Sequence, residues 1–197
     1  MSTPFGPLPT KCPACHPYWD GDYFFYDFSD TPRGLGLAPV GWIPSPSSGT
    51  YWQVDVNGHL ISAQGTLDIE LFSPFRVADG WIEALVTKTV NNNTSFQVGL
   101  RGQDVYGHFA LDDNGFNILG FSTSGGVQDI AIGLHPPFIG TYRIGLMIKD
   151  DFISAYLNGR LIGSASDNEY MGLGSFVLHT YNVDNGGHYN WVRGGKL

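Results

Sequence analysis

Along most of this chain apolar and polar residues alternate with a period of two, the spacing that sends successive side chains to opposite faces of a strand. In "TLDIELFS" (66–73), Leu67, Ile69 and Leu71 fall on one face and Asp68 and Glu70 on the other. "TYRIGLMIKD" (141–150) sets Tyr142, Ile144, Leu146 and Ile148 against Arg143, Gly145 and Met147. Comparable runs recur at short spacing: "DYFFYDF" (22–28), "GWIEALVTKTV" (80–90), "TSFQVGLRG" (94–102), "VYGHFALD" (105–112), "FNILGFST" (116–123), "QDIAIGL" (128–134), "SFVLHTYNVDN" (175–185) and "GHYNWVRGG" (187–195). No window of helical length carries a 3.6-residue apolar stripe, and no repeat of fixed period is found. Asn57-Gly58 and Asn158-Gly159 each separate two strand runs. They predict hairpin tips, with both turn positions at positive φ.

Composition agrees with an all-β reading. The 197 residues include 27 glycines and 12 prolines, with 14% aromatic and only 14% charged residues, a balance that fits short strands joined by many turns. A chain of this length buries roughly 70% of its unfolded surface and needs no covalent staple. Residues 1–21 lack periodicity and are rich in Pro, Gly and small polar residues. They read as an extended N-terminal arm, with residues 22–197 as one domain. The net charge of −8 and the scattered Lys and Arg residues argue against nucleic acid and against anionic membranes. No stretch approaches the ~18 apolar residues of a membrane span. "MSTPFGPLPTKC" has no apolar signal region, so synthesis in a cytoplasm without a signal peptide is expected.

The order of "DFSD" (27–30), "W-V-NG-L" (52–60), "GLRG", "YGHFAL" and the hairpin "GTYRIGLMIKDDFISAYLNGRLIGSASD" (140–167), closed by an aromatic C-terminal strand, resembles the concanavalin A-like, or laminin G-like, jelly roll. The resemblance covers residues 22–197 and implies two large antiparallel sheets packed face to face. That fold hosts lectins, carbohydrate-binding modules, glycosidases and structural domains, so the site must decide between them.

Glycosidases of this fold carry a row of carboxylates on one strand, of the type E-x-D-x-E, able to supply a nucleophile and an acid/base. The nearest pattern here is Asp68-Ile69-Glu70, with Phe72 where a third carboxylate would stand. G-x-S-x-G, H-E-x-x-H and P-loop patterns are missing. The sequence therefore reads as a non-enzyme. Strand phase puts Gln97, Arg101, Tyr106, His108, His179 and Tyr181 on faces opposite to apolar neighbours. On one sheet they would form an exposed face of aromatic, imidazole and planar polar groups. Such a face suits a glycan, or a protein neighbour equally well.

Two functional classes follow. One is a structural or attachment protein of a virus particle, such as a tailed bacteriophage, located in the virion, contacting other particle proteins or copies of itself through residues 1–21, with host glycans as a second ligand. The other is a free carbohydrate-binding module or lectin. Cys12, Cys15 and His16 in "KCPACHPYW" (11–19) spell C-x-x-C-H. The spacing suits haem attachment, a small disulfide, three of four zinc ligands, or an unmetallated turn. No pocket for a porphyrin is visible, and cytoplasmic synthesis disfavours a disulfide. Zinc and the bare turn are favoured, with the disulfide left open.

Overall fold

The computed structural model describes residues 5–6, 18–19, 21–28, 39, 41–45, 52–62, 69–89, 95–102, 107–111, 115–122, 126–134, 139–166, 172–181 and 186–197. Every regular element among them is a strand. In chain order these are β1 (Tyr18–Trp19), β2 (Tyr23–Tyr26), β3 (Ile43–Pro44), β4 (Trp52–Val54), β5 (Leu60–Ser62), β6 (Ile69–Val77), β7 (Gly80–Lys88), β8 (Ser95–Gly102), β9 (Gly107–Leu111), β10 (Gly115–Ser122), β11 (Gly126–Leu134), β12 (Gly140–Lys149), β13 (Phe152–Leu157), β14 (Arg160–Ser166), β15 (Gly174–Tyr181) and β16 (Gly187–Lys196). Among the described residues no helix is long and apolar enough to cross a membrane.

The strands form two antiparallel sheets, as the resemblance implies. A nine-stranded sheet runs β1-β2-β16-β7-β12-β13-β14, with the β4–β5 hairpin attached through β5 to β16. A seven-stranded sheet runs β11-β10-β9-β8-β15-β6-β3. The core lies between them. Ile82, Ala84 and Val86 of β7, Ile144, Leu146 and Ile148 of β12, and Val192 of β16 meet Leu71 of β6, Phe96, Val98 and Leu100 of β8, and Phe176 and Leu178 of β15. These are the apolar phases of the alternating runs. Full burial of each large side chain contributes roughly 1.5–3 kcal/mol.

Two aromatic side chains tie the sheets together through polar atoms. The Trp52 indole N–H donates to the Glu70 carbonyl at 3.2 Å, joining β4 to β6. The Tyr189 hydroxyl reaches from β16 to the backbone of β8 and β15.

The two Asn-Gly tips differ. Asn158 and Gly159 have φ of 51° and 80°, both left-handed, as a two-residue hairpin turn requires. At the other tip Gly58 alone is left-handed, with φ 80°. There the Asp55 carboxylate accepts the amide N–H groups of Asn57 and His59, each at 2.8 Å. This Asx turn sets the loop, so Asn57 need not adopt positive φ.

The predicted arm meets the domain at residues 5 and 18–19. Tyr18 and Trp19 pair with Phe25 and Phe24 of β2, and Phe5 is buried against Trp81. The nine-stranded sheet thus begins before residue 22, the expected boundary.

Candidate functional site

In the seven-stranded sheet β15 lies between β6 and β8, and the register sets His179 opposite both Glu70 and Gln97. Leu178 is likewise flanked by Leu71 and Val98, all three buried in the core. Glu70, His179 and Gln97 therefore form a polar row across three strands on the outer face, with cross-strand Cβ atoms about 4.5–5.5 Å apart. Phe72, Val177 and Gly99 make the next row on that face. The row is not the open polar surface that the alternation predicts: Gln97 is 6% exposed and His179 4%. Glu70 and Phe72 are half-buried, and solvent reaches the row through them.

Beneath the row, on the core side, the Tyr189 hydroxyl accepts the Gln97 amide N–H at 3.1 Å. It lies 2.8 Å from the carbonyl oxygens of both Gln97 and His179, to which it can donate. One hydroxyl thus fixes two neighbouring strands at the positions that carry Gln97 and His179. Burial pushes the Tyr189 phenol well above its ordinary range, and the two backbone contacts only partly oppose this. It stays a protonated donor.

Of the other residues predicted for this face, the backbone of His108 stands opposite Gly99 and that of Tyr181 opposite Ser95. Both positions are adjacent to the row. Tyr106 and the proposed zinc ligands Cys12, Cys15 and His16 lie outside the described residues. Among the described residues no group of three His, Cys, Asp or Glu side chains is placed to hold a metal ion.

Arg101 departs from the expectation of an exposed ligand contact. It is 6% exposed and has φ 65°. Ser175 pairs with Gly102 but Val177 with Gly99, so β8 carries one extra residue here. Such a bulge breaks the alternation and turns the side chain away. The guanidinium reaches the Ala78 carbonyl, the Asp79 carboxylate at 3.0 Å and the Asp150 carbonyl at 2.7 Å. It braces the β6–β7 and β12–β13 turns. Gly174 is required beside it, since a Cβ there would lie 2.2 Å from the Arg101 carbonyl carbon.

Strand phase alone did not single out Glu70 and Phe72. Glu70 read as half of an incomplete carboxylate row and Phe72 as the missing carboxylate. Their shared phase was the available signal, but it gained meaning only from the β6–β15 register.

No family model matches this chain, and no curated protein matches it in sequence. Solved structures do. A carbohydrate-binding module, CBM66 from Bacillus subtilis, superposes with a TM-score of 0.62 at 20% identity, covering 79% of this chain and 95% of that one. A Bacillus licheniformis β-glucanase gives 0.56 at 15% identity, covering 91% and 100%. A β-1,3-1,4-glucanase from a mouse hindgut metagenome gives 0.59 at 12% identity, covering 89% and 100%. The fold is the jelly-roll sandwich of carbohydrate-binding modules and glycoside hydrolases.

These likenesses correct two expectations. The reading of the chain as a non-enzyme does not stand, because the similar structures are mostly glucanases and other glycosyl hydrolases. The virus-particle role finds no counterpart among them, and the carbohydrate-binding alternative fits better.

Proposed function

We propose that this protein binds carbohydrate on the outer face of the seven-stranded sheet, at the row formed by Glu70, His179 and Gln97 with Phe72 beside it. The observation that carries the reading is the register: it brings a carboxylate, an imidazole and a carboxamide into one line next to an aromatic ring. Sugars are held by such combinations, with a ring against the C–H face and planar polar groups on the hydroxyls. The similar structures named as carbohydrate-binding module and glucanase support the same ligand class. The half-buried Glu70 and Phe72 are the contacts a sugar meets first, and His179 and Gln97 line the deeper part.

A second reading, hydrolysis of the bound glycan, rests on Glu70. Its carboxylate position faces an imidazole across the strand pair, and a carboxyl and an imidazole are both competent proton donors or acceptors.

The test is a polysaccharide panel that includes β-1,3-1,4-glucan, read by calorimetry and by release of reducing ends. Binding that is lost in Phe72→Ala and weakened in Glu70→Gln supports the site. Release of reducing ends that Glu70→Gln abolishes while binding persists supports the hydrolytic reading. Binding unchanged in both variants would refute the assignment to this face.

A further inference from the structure

The outer face of the nine-stranded sheet holds a buried ion pair that the carbohydrate site does not use. Glu83 lies between the core residues Ile82 and Ala84, so its side chain points outward, as does that of its strand partner Arg193. Yet Arg193 is 0% exposed and Glu83 1%. Arg193 Nε donates to Glu83 Oε2 at 2.8 Å. Its guanidinium carbon sits 5.5 Å from the Trp81 ring centroid and 5.7 Å from that of Trp191.

What seals the pair, among the described residues, is Phe5-Gly6. The Phe5 ring stacks on Trp81 at 5.1 Å and meets Tyr156 edge-on at 5.0 Å. It lies over Gly145, where an added Cβ would come within 2.6 Å of the ring. Arg193 Nη2 donates to the Gly6 carbonyl at 3.3 Å. Gly6 has φ 68°, a left-handed turn that favours glycine. Glu83 Oε1 is buried and, among the described residues, accepts no hydrogen bond. The pocket therefore has two aromatic walls, a floor with no side chain, a cation for a backbone carbonyl and a spare anionic acceptor.

We propose that this face is a docking pocket for a Phe-Gly segment and that two copies of the chain exchange their N-terminal segments through it. Eleven residues lie between Gly6 and Tyr18, and a chain of that length extends to about 40 Å. The radius of gyration expected for a 197-residue domain is roughly 16 Å, so the same pocket on a neighbouring copy is within reach. Exchange re-forms the same contacts between copies, which makes it a low-cost route to a dimer. A dimer so formed carries two carbohydrate faces.

Two full-length variants test this. Phe5→Ala has an open pocket and no ring to donate. Gly145→Val keeps the ring and has no room to receive one, because its Cβ meets the Phe5 ring at 2.6 Å, well inside the next contact, the Ile82 carbonyl at 3.5 Å. Each alone should sediment as a monomer, and an equimolar mixture should form a 1:1 complex. A mixture that stays monomeric up to roughly millimolar concentration, the effective concentration that a tether supplies in the wild type, overturns the exchange. Independently of Gly145→Val, a synthetic peptide of residues 1–10 should change the tryptophan fluorescence of Phe5→Ala saturably. The same peptide with Phe5 replaced by Ala should not. No response to the first peptide overturns the pocket itself.

Discussion

Replacing Tyr189 by Phe removes one oxygen from the molecule and tests how the core supports the proposed carbohydrate face. The ring should stay where it is, packed edge-on to Phe96 at 5.3 Å, and no cavity opens. The hydroxyl accepts one bond, from the Gln97 N–H, and donates its single proton to the Gln97 or His179 carbonyl. Losing two such bonds at about 0.5–1.5 kcal/mol each gives an expected destabilisation of ~1–3 kcal/mol. Urea unfolding should show a lower midpoint with an unchanged m-value. Because burial raises the phenol above its ordinary value, the hydroxyl stays protonated in the folded state, and the difference between the two proteins should be constant from about pH 6 to 9. Above about pH 10 the unfolded wild-type phenol loses its proton while the folded one keeps it, so wild-type stability falls there and the gap narrows. Glycan affinity should fall as well, since the backbone under Gln97 and His179 is no longer pinned. A cost below about 0.5 kcal/mol, or a gap that varies between pH 6 and 9, would refute the role given to this hydroxyl.

Arg193→Met leaves the Glu83 carboxylate buried without its partner and should cost about 3–5 kcal/mol in urea unfolding, whereas Glu83→Leu with Arg193→Met should recover most of that loss. Arg101→Ala frees two turns and strands their acceptors, so a loss of roughly 1.5–3 kcal/mol is expected; a change within ~0.5 kcal/mol would place the side chain in solvent after all. Burial first, then the neighbouring His59, holds the His188 imidazole below its ordinary value, against an opposing pull from Asp55. The unfolded chain therefore binds the extra proton first, so thermal stability should fall as pH drops from 7 through about 6.5 and below. His188→Gln should flatten that slope.

How far the sequence disclosed this molecule depended on the range of the interaction. The core faces of β7, β12 and β15 were legible because each strand has one face on the core and alternation is a local property. Asn158-Gly159 was legible because its turn is built from those two residues alone. Asn57-Gly58 was read with the right place and the wrong geometry, since Asp55, outside the dipeptide, sets the turn. Arg101 was misplaced because a bulge resets the phase, and nothing in "VGLRG" announces one. The polar row itself was half visible. Gln97 and His179 were each on the correct face, but Glu70 joined them only through pairing between segments far apart in the chain. Phe5 was the hardest to see: a single aromatic in an aperiodic segment carries no pattern, and its pocket is assembled from β7, β12, β13 and β16.

The two outer faces of the sandwich can be compared by how their aromatic and charged groups are covered. On the nine-stranded sheet the chain supplies its own cover, with Phe5 on Trp81 and the Gly6 carbonyl on Arg193. That face can take a sugar only by expelling its own segment. On the seven-stranded sheet Glu70 and Phe72 remain half-exposed beside their row. Binding costs less where less must first be displaced, which favours the proposed carbohydrate site on the seven-stranded sheet. The choice has a direct check. With Phe5 in place, Trp81→Ala should leave glycan affinity within about twofold, an effect of roughly 0.4 kcal/mol, while Phe72→Ala should abolish it. The reverse pattern would move the sugar to the opposite face and make residues 5–6 its competitor.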